Sequence, residues 1–295
     1  MAYVSGMATS FDDLHTALVN ACVANGYTYA DTILSKNSLY IKPILFNGLA
    51  VQAGTGKTGS SLINPSPRPR LGQLSTNSLG AVNFPCNYYI HILENPDEVY
   101  LVINFDIDRY YYLSFGNSMV SGAGAWLSAT SPFSYPITAL DGFTMTDSTG
   151  GDMANSADIV YNASGFFWNT NATGTTADRY ANCILLNDNW LYQDVNAIQA
   201  AAPLVARSPS AFNQESPLLS VQVCSTAASN KINLLADIAH ARYLRIQNYL
   251  PKEILIIGSD KWKIYPFHRK NSVTLNPYHE WHTGTFGWAI RYDGP

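Results

Sequence analysis

The 295-residue sequence predicts a mainly β, α+β protein: antiparallel sheets with one N-terminal helix and long loops. Three observations predict it. Helical periodicity is strongest near the start, short β-prone runs separated by polar turns fill most of the remainder, and no internal repeat at a fixed period suggests a solenoid or propeller. A chain of this length can bury a sizeable core without disulfides or metals.

The helix is read from Phe11, Leu14, Leu18 and Ala21/Cys22, which recur at helical spacing. Ser10, with Asp13 three positions later, resembles a capping box in which Asp replaces the usual Glu, and Gly26 supplies the stop. Ahead of it, Tyr3, Val4 and Met7 belong to a terminus of small and apolar residues, expected to be exposed and to dock on a neighbouring subunit.

After the helix the period shortens. Ser38–Lys42 and Ile44–Phe46 read as strands, followed by a Gly/Ser/Pro-rich loop from Gly54 to Arg70. A three-strand meander comes next: Tyr88–Leu93, a turn at Glu94–Asp97, Val99–Phe105, a turn at Asp106–Asp108, and Tyr110–Phe115. Strands joined by such short turns must be antiparallel. From Gly116 to Ala181 the chain is rich in Gly, Ser, Thr and Asn, with aromatics including Trp126, Phe166, Phe167 and Trp168 that need somewhere to pack. Asn187–Ala206 is read as a second helix through Trp190, Val195, Ile198 and Ala202. Strands return at Leu218–Val223, Tyr243–Ile246, Ile254–Ile257, Trp262–Tyr265 and Gly287–Tyr292, with turns at Lys252-Glu253 and Ser259-Asp260. The organisation is therefore 1–115, a loop or β insertion at 116–181, and a C-terminal β region at 182–295 that is continuous with the first as one domain.

Composition narrows the function. Charged residues are only 13%, about half the roughly 25% of ordinary soluble domains. A polar but weakly charged surface suits a protein covered by neighbours after assembly. The net charge of −4 argues against nucleic-acid binding, since phosphate neutralisation needs a dense basic surface, and the one local basic run is Arg68 and Arg70 between prolines. No stretch approaches a membrane span and the first ten residues do not read as a signal peptide, so a cytoplasmic origin without membrane partners is expected. Cys22, Cys86, Cys183 and Cys224 lie far apart and read as small apolar residues rather than a zinc site or disulfide framework. The sequons at Asn162 and Asn171 carry no weight without secretion.

Apparent catalytic motifs fall short. Ala53–Thr58 ends in Gly-Lys-Thr but has Val51 where a P-loop needs glycine, and Pro65, Pro67 and Pro69 prevent the required helix. No nucleotide or other cofactor is expected. His279 and His282 are three apart rather than four, beside Pro277 and Gly284, which fits a loop better than a zinc-protease helix. Asp106/Asp108 and Asp147/Asp152 could form a glycosidase dyad, yet both pairs fall in turns that favour Asp for backbone hydrogen bonding. There is no Gly-x-Ser-x-Gly elbow.

A resemblance adds to this reading. Met1–Leu14 before a helix, Asn95–Tyr100 with Tyr110–Gly116, Ala241–Arg245, Trp262 with Arg269–Asn271, and the ending Gly284–Pro295 together resemble a family of tailed-phage virion structural proteins found among tail and baseplate components. The resemblance implies a virion location after assembly in the host cytoplasm, no catalysis, and partners that are other copies of the chain and other virion structural proteins. A receptor-binding or fibre-like adhesin is the alternative, with Gly116–Ala181 holding glycans. A tail-associated glycan hydrolase is the third reading.

Overall fold

A computed structural model describes residues 1–46, 48–71, 82–107, 109–130, 166–167, 182–192, 195–197, 201, 204–205, 208–227, 231–267, 270 and 286–294. The chain opens with β1 (Ala2–Ala8) and α1 (Phe11–Ala24), then β2 (Thr28–Ala30), β3 (Ile33–Lys36), β4 (Leu39–Leu45), β5 (Leu49–Gly54), β6 (Gly56–Thr58), β7 (Ser61–Ile63) and β8 (Arg70–Leu71). The meander follows as β9 (Cys86–Leu93), β10 (Glu98–Asp106) and β11 (Arg109–Asn117), extended by β12 (Ala123–Ala129), β13 (Asn182–Leu186) and β14 (Asn189–Leu191). The last strands are β15 (Val195–Asn196), β16 (Leu219–Ala227), β17 (Lys231–Arg245), β18 (Ile254–Ile257), β19 (Asp260–Pro266) and β20 (Phe286–Arg291).

These strands form a seven-stranded sheet, β1-β9-β10-β11-β12-β13-β14, a six-stranded sheet, β15-β16-β17-β20-β19-β18, a five-stranded sheet, β2-β3-β4-β5-β8, and a small β6-β7 hairpin. The seven-stranded sheet is the middle layer. On one face Tyr100, Val102, Tyr112, Trp126 and Ile184 share a core with Val221, Ile238, Tyr243, Trp288 and Ile290 of the six-stranded sheet. On the other, Val99, Leu101, Ile103, Leu113 and Leu127 share a core with α1 and with Leu34, Ile41, Val51 and Leu71 of the five-stranded sheet. Burial on both faces explains why Val99–Ile103 and Tyr110–Phe115 read as continuous apolar runs, unlike the alternation of a half-exposed antiparallel strand. Close packing also fixes Gly116, because a Cβ there would sit 2.6 Å from the Trp126 ring.

Helix α1 is capped as its sequence suggests, with one shift. The Ser10 hydroxyl accepts from the Asp13 N–H at 3.1 Å, while the Asp13 carboxylate accepts from the Thr9 N–H at 2.8 Å, one residue earlier than in a capping box. Gly26, at φ +88°, ends the helical segment. Phe11, Leu14, Leu18, Ala21 and Cys22 are all buried.

Four expectations are corrected. The first residues are not an exposed arm: β1 pairs with β9 from Ala2↔Ile92 to Ala8↔Cys86. The stretch expected as one loop from Gly54 to Arg70 holds the β6-β7 hairpin and the start of β8. The start of the helix expected over Asn187–Ala206 is instead a hairpin, since Asn187 and Asp188 take positive φ (46° and 61°) between the paired Leu186 and Asn189, while farther along Ala201, Leu204 and Val205 are helical. Two such residues make the primed turn that matches strand twist, and this local preference overrides the helical spacing of Trp190 and Val195. The last turn sits one residue earlier than expected, at Gly258-Ser259. Most of 131–181 and all of 271–285 fall outside the described residues, including both sequons, Asp147, Asp152, His279 and His282.

The aromatic packing expected of the insertion is seen at Phe166 and Phe167, both fully buried in the sandwich core. The Tyr243 hydroxyl donates to the Phe166 carbonyl at 2.6 Å, and the Phe166 ring lies 4.8 Å from that of Trp288. Trp288 also meets Tyr100, Tyr112 and Phe267. We predict that Trp288→Ala lowers stability by about 3–5 kcal/mol, read as a lower thermal midpoint of the purified protein. Trp288→Phe should cost much less, because the buried indole N–H has no hydrogen-bond partner among the described residues to lose. Equal midpoints for wild type and Trp288→Ala would contradict this packing.

Candidate functional site

A buried polar cluster sits where the six-stranded sheet meets the middle layer. Strand β17 is irregular there: Val221 pairs with Ile238 but Ser220 pairs with Arg242, so β17 carries extra residues between them. Such a bulge leaves backbone groups unpaired, and buried ones must be satisfied. Glu98, fully buried, supplies the acceptors: its carboxylate takes the N–H groups of Ala239 and His240, both at 3.0 Å. The Tyr100 hydroxyl donates to it at 2.6 Å. Arg242 supplies the donors, giving its Nη1 to the carbonyls of Ile238, Ala239 and Ala241 at 3.1, 2.9 and 2.7 Å, with its guanidinium 5.0 Å from the Trp262 ring centre. One acid and one base thus complete the bulge.

A second buried cluster joins β1 to the C-terminal sheet. The imidazole of His91 is enclosed, with Nδ1 3.1 Å from the Arg291 carbonyl and Nε2 3.0 Å from the Tyr265 hydroxyl. A carbonyl can only accept, so neutral His91 carries its proton on Nδ1 and accepts from Tyr265 at Nε2. Beside it the Lys263 ammonium donates to the Tyr3 hydroxyl at 3.0 Å and lies 4.4 and 4.5 Å from the ring centres of Tyr3 and Tyr292.

The N-terminal residues expected to contact a partner therefore divide. Tyr3 is half-buried against His91 and Tyr292, and Val4 packs on the helix-side core. Met7 is 65% exposed. The apparent P-loop lysine lies in β6, its ammonium 3.2 Å from the Ala30 carbonyl and 3.4 Å from the Asp31 carboxylate, and the chain turns into β7 rather than a helix. Arg68 and Arg70 fold onto the Phe46 ring, at 5.1 and 5.6 Å. Asp106 ends β10 beside Arg109, while Asp108 lies outside the described residues. Cys22, Cys86 and Cys183 are buried and Cys224 partly so, all as free thiols.

One polar cleft, of about 520 Å³, opens beside the turn between β9 and β10. Lys36 bridges Glu94 at 2.7 Å and Asp97 at 2.9 Å on its wall, and the Asn37 amide donates to Asp97 at 2.7 Å. One ammonium faces two carboxylates, so the wall keeps a net negative charge, offset from outside the cleft by the N-terminal ammonium 3.9 Å from Glu94; the rest of the lining is amides and hydroxyls from Asn37, Ser38, Asn95, Asn117 and Ser118. No helix among the described residues is long and apolar enough to cross a membrane. No group of three or more His, Cys, Asp or Glu among them could hold a metal ion.

Comparison of the sequence with models of known families gives no match, and comparison with curated proteins gives none.

Two of these clusters respond to pH in opposite directions. Burial pushes the Glu98 carboxyl from 4.5 up to about 7, against its hydrogen bonds and Arg242, and pushes His91 from 6.5 down to about 3. The raised carboxyl contributes stability that is complete below pH 4.5 and lost as pH climbs to about 7; the depressed histidine contributes stability present above 6.5 and lost as pH falls towards 3. The two slopes oppose between 4.5 and 6.5. Glu98→Gln should make stability rise more steeply with pH across that window, and His91→Gln should make it fall. Urea unfolding at several pH values reads both, and curves parallel to wild type would contradict the assignment.

Proposed function

We propose that the chain is a structural subunit of a tailed-phage virion, in the tail or baseplate, working by assembly with copies of itself and other virion structural proteins. In this reading it is not an enzyme, carries no cofactor, binds no nucleic acid or membrane, and is assembled in the host cytoplasm. The observation that carries it is the state of the outer strands. Edge strand β1 exposes Met7, and edge strand β18 exposes Ile254, Ile256 and Ile257. Edges that stay alone in solution are usually blunted by charge, proline or a bulge. The low charge of the chain supports the same reading, because copies repel one another little. Glu98, His91 and Arg242 are engaged by main-chain groups, which is the work of a rigid block.

The polar cleft favours a second reading, a receptor-binding or fibre-like adhesin, since amides and hydroxyls suit sugar hydroxyls. An averaged image of the intact particle separates the two. Density in an axial ring supports the structural subunit, a distal or radially projecting position supports the adhesin, and absence of the chain from purified particles contradicts both. We further predict that Met7→Glu leaves the thermal midpoint unchanged, because the side chain is exposed, and lowers incorporation into particles. Full incorporation would remove β1 from the contact surface.

A further inference from the structure

Among the described residues strand β18 ends the six-stranded sheet, and its two sides are unequal. The Glu253 carbonyl accepts from the Ile264 N–H at 2.9 Å, and Ile257 closes the two-residue turn opposite Asp260. In an antiparallel ladder alternate residues bond to the same neighbour. Glu253, Leu255 and Ile257 therefore turn their main-chain groups towards β19, and Ile254 and Ile256 turn theirs outward. The side chains along this edge are Ile, Leu, Ile and Ile, and Ile256 is 70% and Ile257 54% exposed. Neither lysine nor proline interrupts the strand, and nearby Leu250 is also 70% exposed.

We propose that β18 pairs with β18 of a second copy of this chain, antiparallel about a two-fold axis through Leu255, joining two six-stranded sheets into one continuous sheet. The register follows from the alternation. With the axis at Leu255, Ile254 of each copy faces Ile256 of the other, so all the outward N–H and C=O groups of the strand are bonded. A slip of one residue would set an outward residue against an inward one. Centring on Ile256 instead would oppose Ile254 to Gly258, which is already in the turn at φ +62°. In the chosen register Lys252 and Glu253 face Gly258 and Ile257, so no like charges meet. A second copy satisfies this geometry with identical residues, as a two-fold contact requires.

The strand is four residues long, so the contact is smaller than the roughly 1,200–2,000 Å² of a stable interface. It is weak alone and strengthened when other contacts hold copies close. The inference deepens the assembly reading and rests on it for its use in the virion, while the pairing itself is measurable without particles.

The test uses the full chain. Sedimentation equilibrium of wild type should show the mass climbing from 32.4 kDa towards twice that value as concentration rises, and Ile256→Lys should hold it at 32.4 kDa. Leu255 residues meet at a non-hydrogen-bonded pair, where Cα atoms lie about 4.5 Å apart, within disulfide reach. Two copies of Ile257 would be about 13 Å apart. Under mild oxidation Leu255→Cys should cross-link at least roughly ten-fold faster than Ile257→Cys. A wild type that stays monomeric, an Ile256→Lys variant that still dimerises, or equal cross-linking at the two positions would each overturn the pairing. A monomeric edge in a chain still found in particles refutes this contact alone. A pairing edge in a chain absent from particles refutes the virion reading and leaves the contact standing.

Discussion

Burial of the seven-stranded sheet on both faces is the constraint on which the other layers depend. Val99 to Ile103 are each less than 1% exposed, and this is possible only because α1 and the five-stranded sheet cover one side while the six-stranded sheet covers the other. An antiparallel sheet more often leaves one face in water. Here loss of the five-stranded side would expose Val99, Leu101, Ile103, Leu113 and Leu127, and loss of the six-stranded sheet would expose Tyr100, Val102, Tyr112, Trp126 and Ile184, at about 25 cal/mol per Å². The covers must therefore fit, and the bulge in β17 is where the fit is made. Its misaligned backbone would cost several unsatisfied groups were Glu98 and Arg242 not aimed at them.

Much of the fold was legible in the sequence because two-sided burial and helical amphipathicity leave strong local signals. The meander, helix α1 and the C-terminal strands follow from such runs. Less legible were elements decided by partners far along the chain. Tyr3 and Val4 resemble a loose terminus until β9, some ninety residues later, supplies the ladder. Asn187-Asp188 is a quieter turn signal than Asn-Gly, so the spacing of Trp190 and Val195 reads as helix. Glu98 stands next to a turn where acids are common, and its role needs the N–H groups of Ala239 and His240, 141 and 142 residues away. The residues expected at a partner surface were only partly placed: Met7 is exposed, whereas Tyr3 and Val4 are spent on the chain's own packing.

The same economy shapes the functional reading. Glu98, His91 and Arg242 are engaged in holding layers together, and the features that the described residues turn outward include sheet edges, single apolar side chains and a polar cleft. Exposed apolar residues occur on every protein surface, so single examples such as Ile107 decide nothing. A strand edge differs because its row of main-chain groups is a template that another strand matches in a defined register. That distinction turns a general tendency to associate into a specific contact.

Burial of the middle sheet on both faces predicts that the layers unfold as one cooperative unit, and native-state hydrogen exchange measures whether they do. Amides of Val99–Ile103 in the middle layer and of Ala241–Leu244 in the six-stranded sheet should exchange only through global unfolding, with the same free energy and denaturant dependence. Exchange of Ala241–Leu244 at a distinctly lower free energy, while Val99–Ile103 stay protected, would mean that the C-terminal sheet opens on its own and would contradict the account.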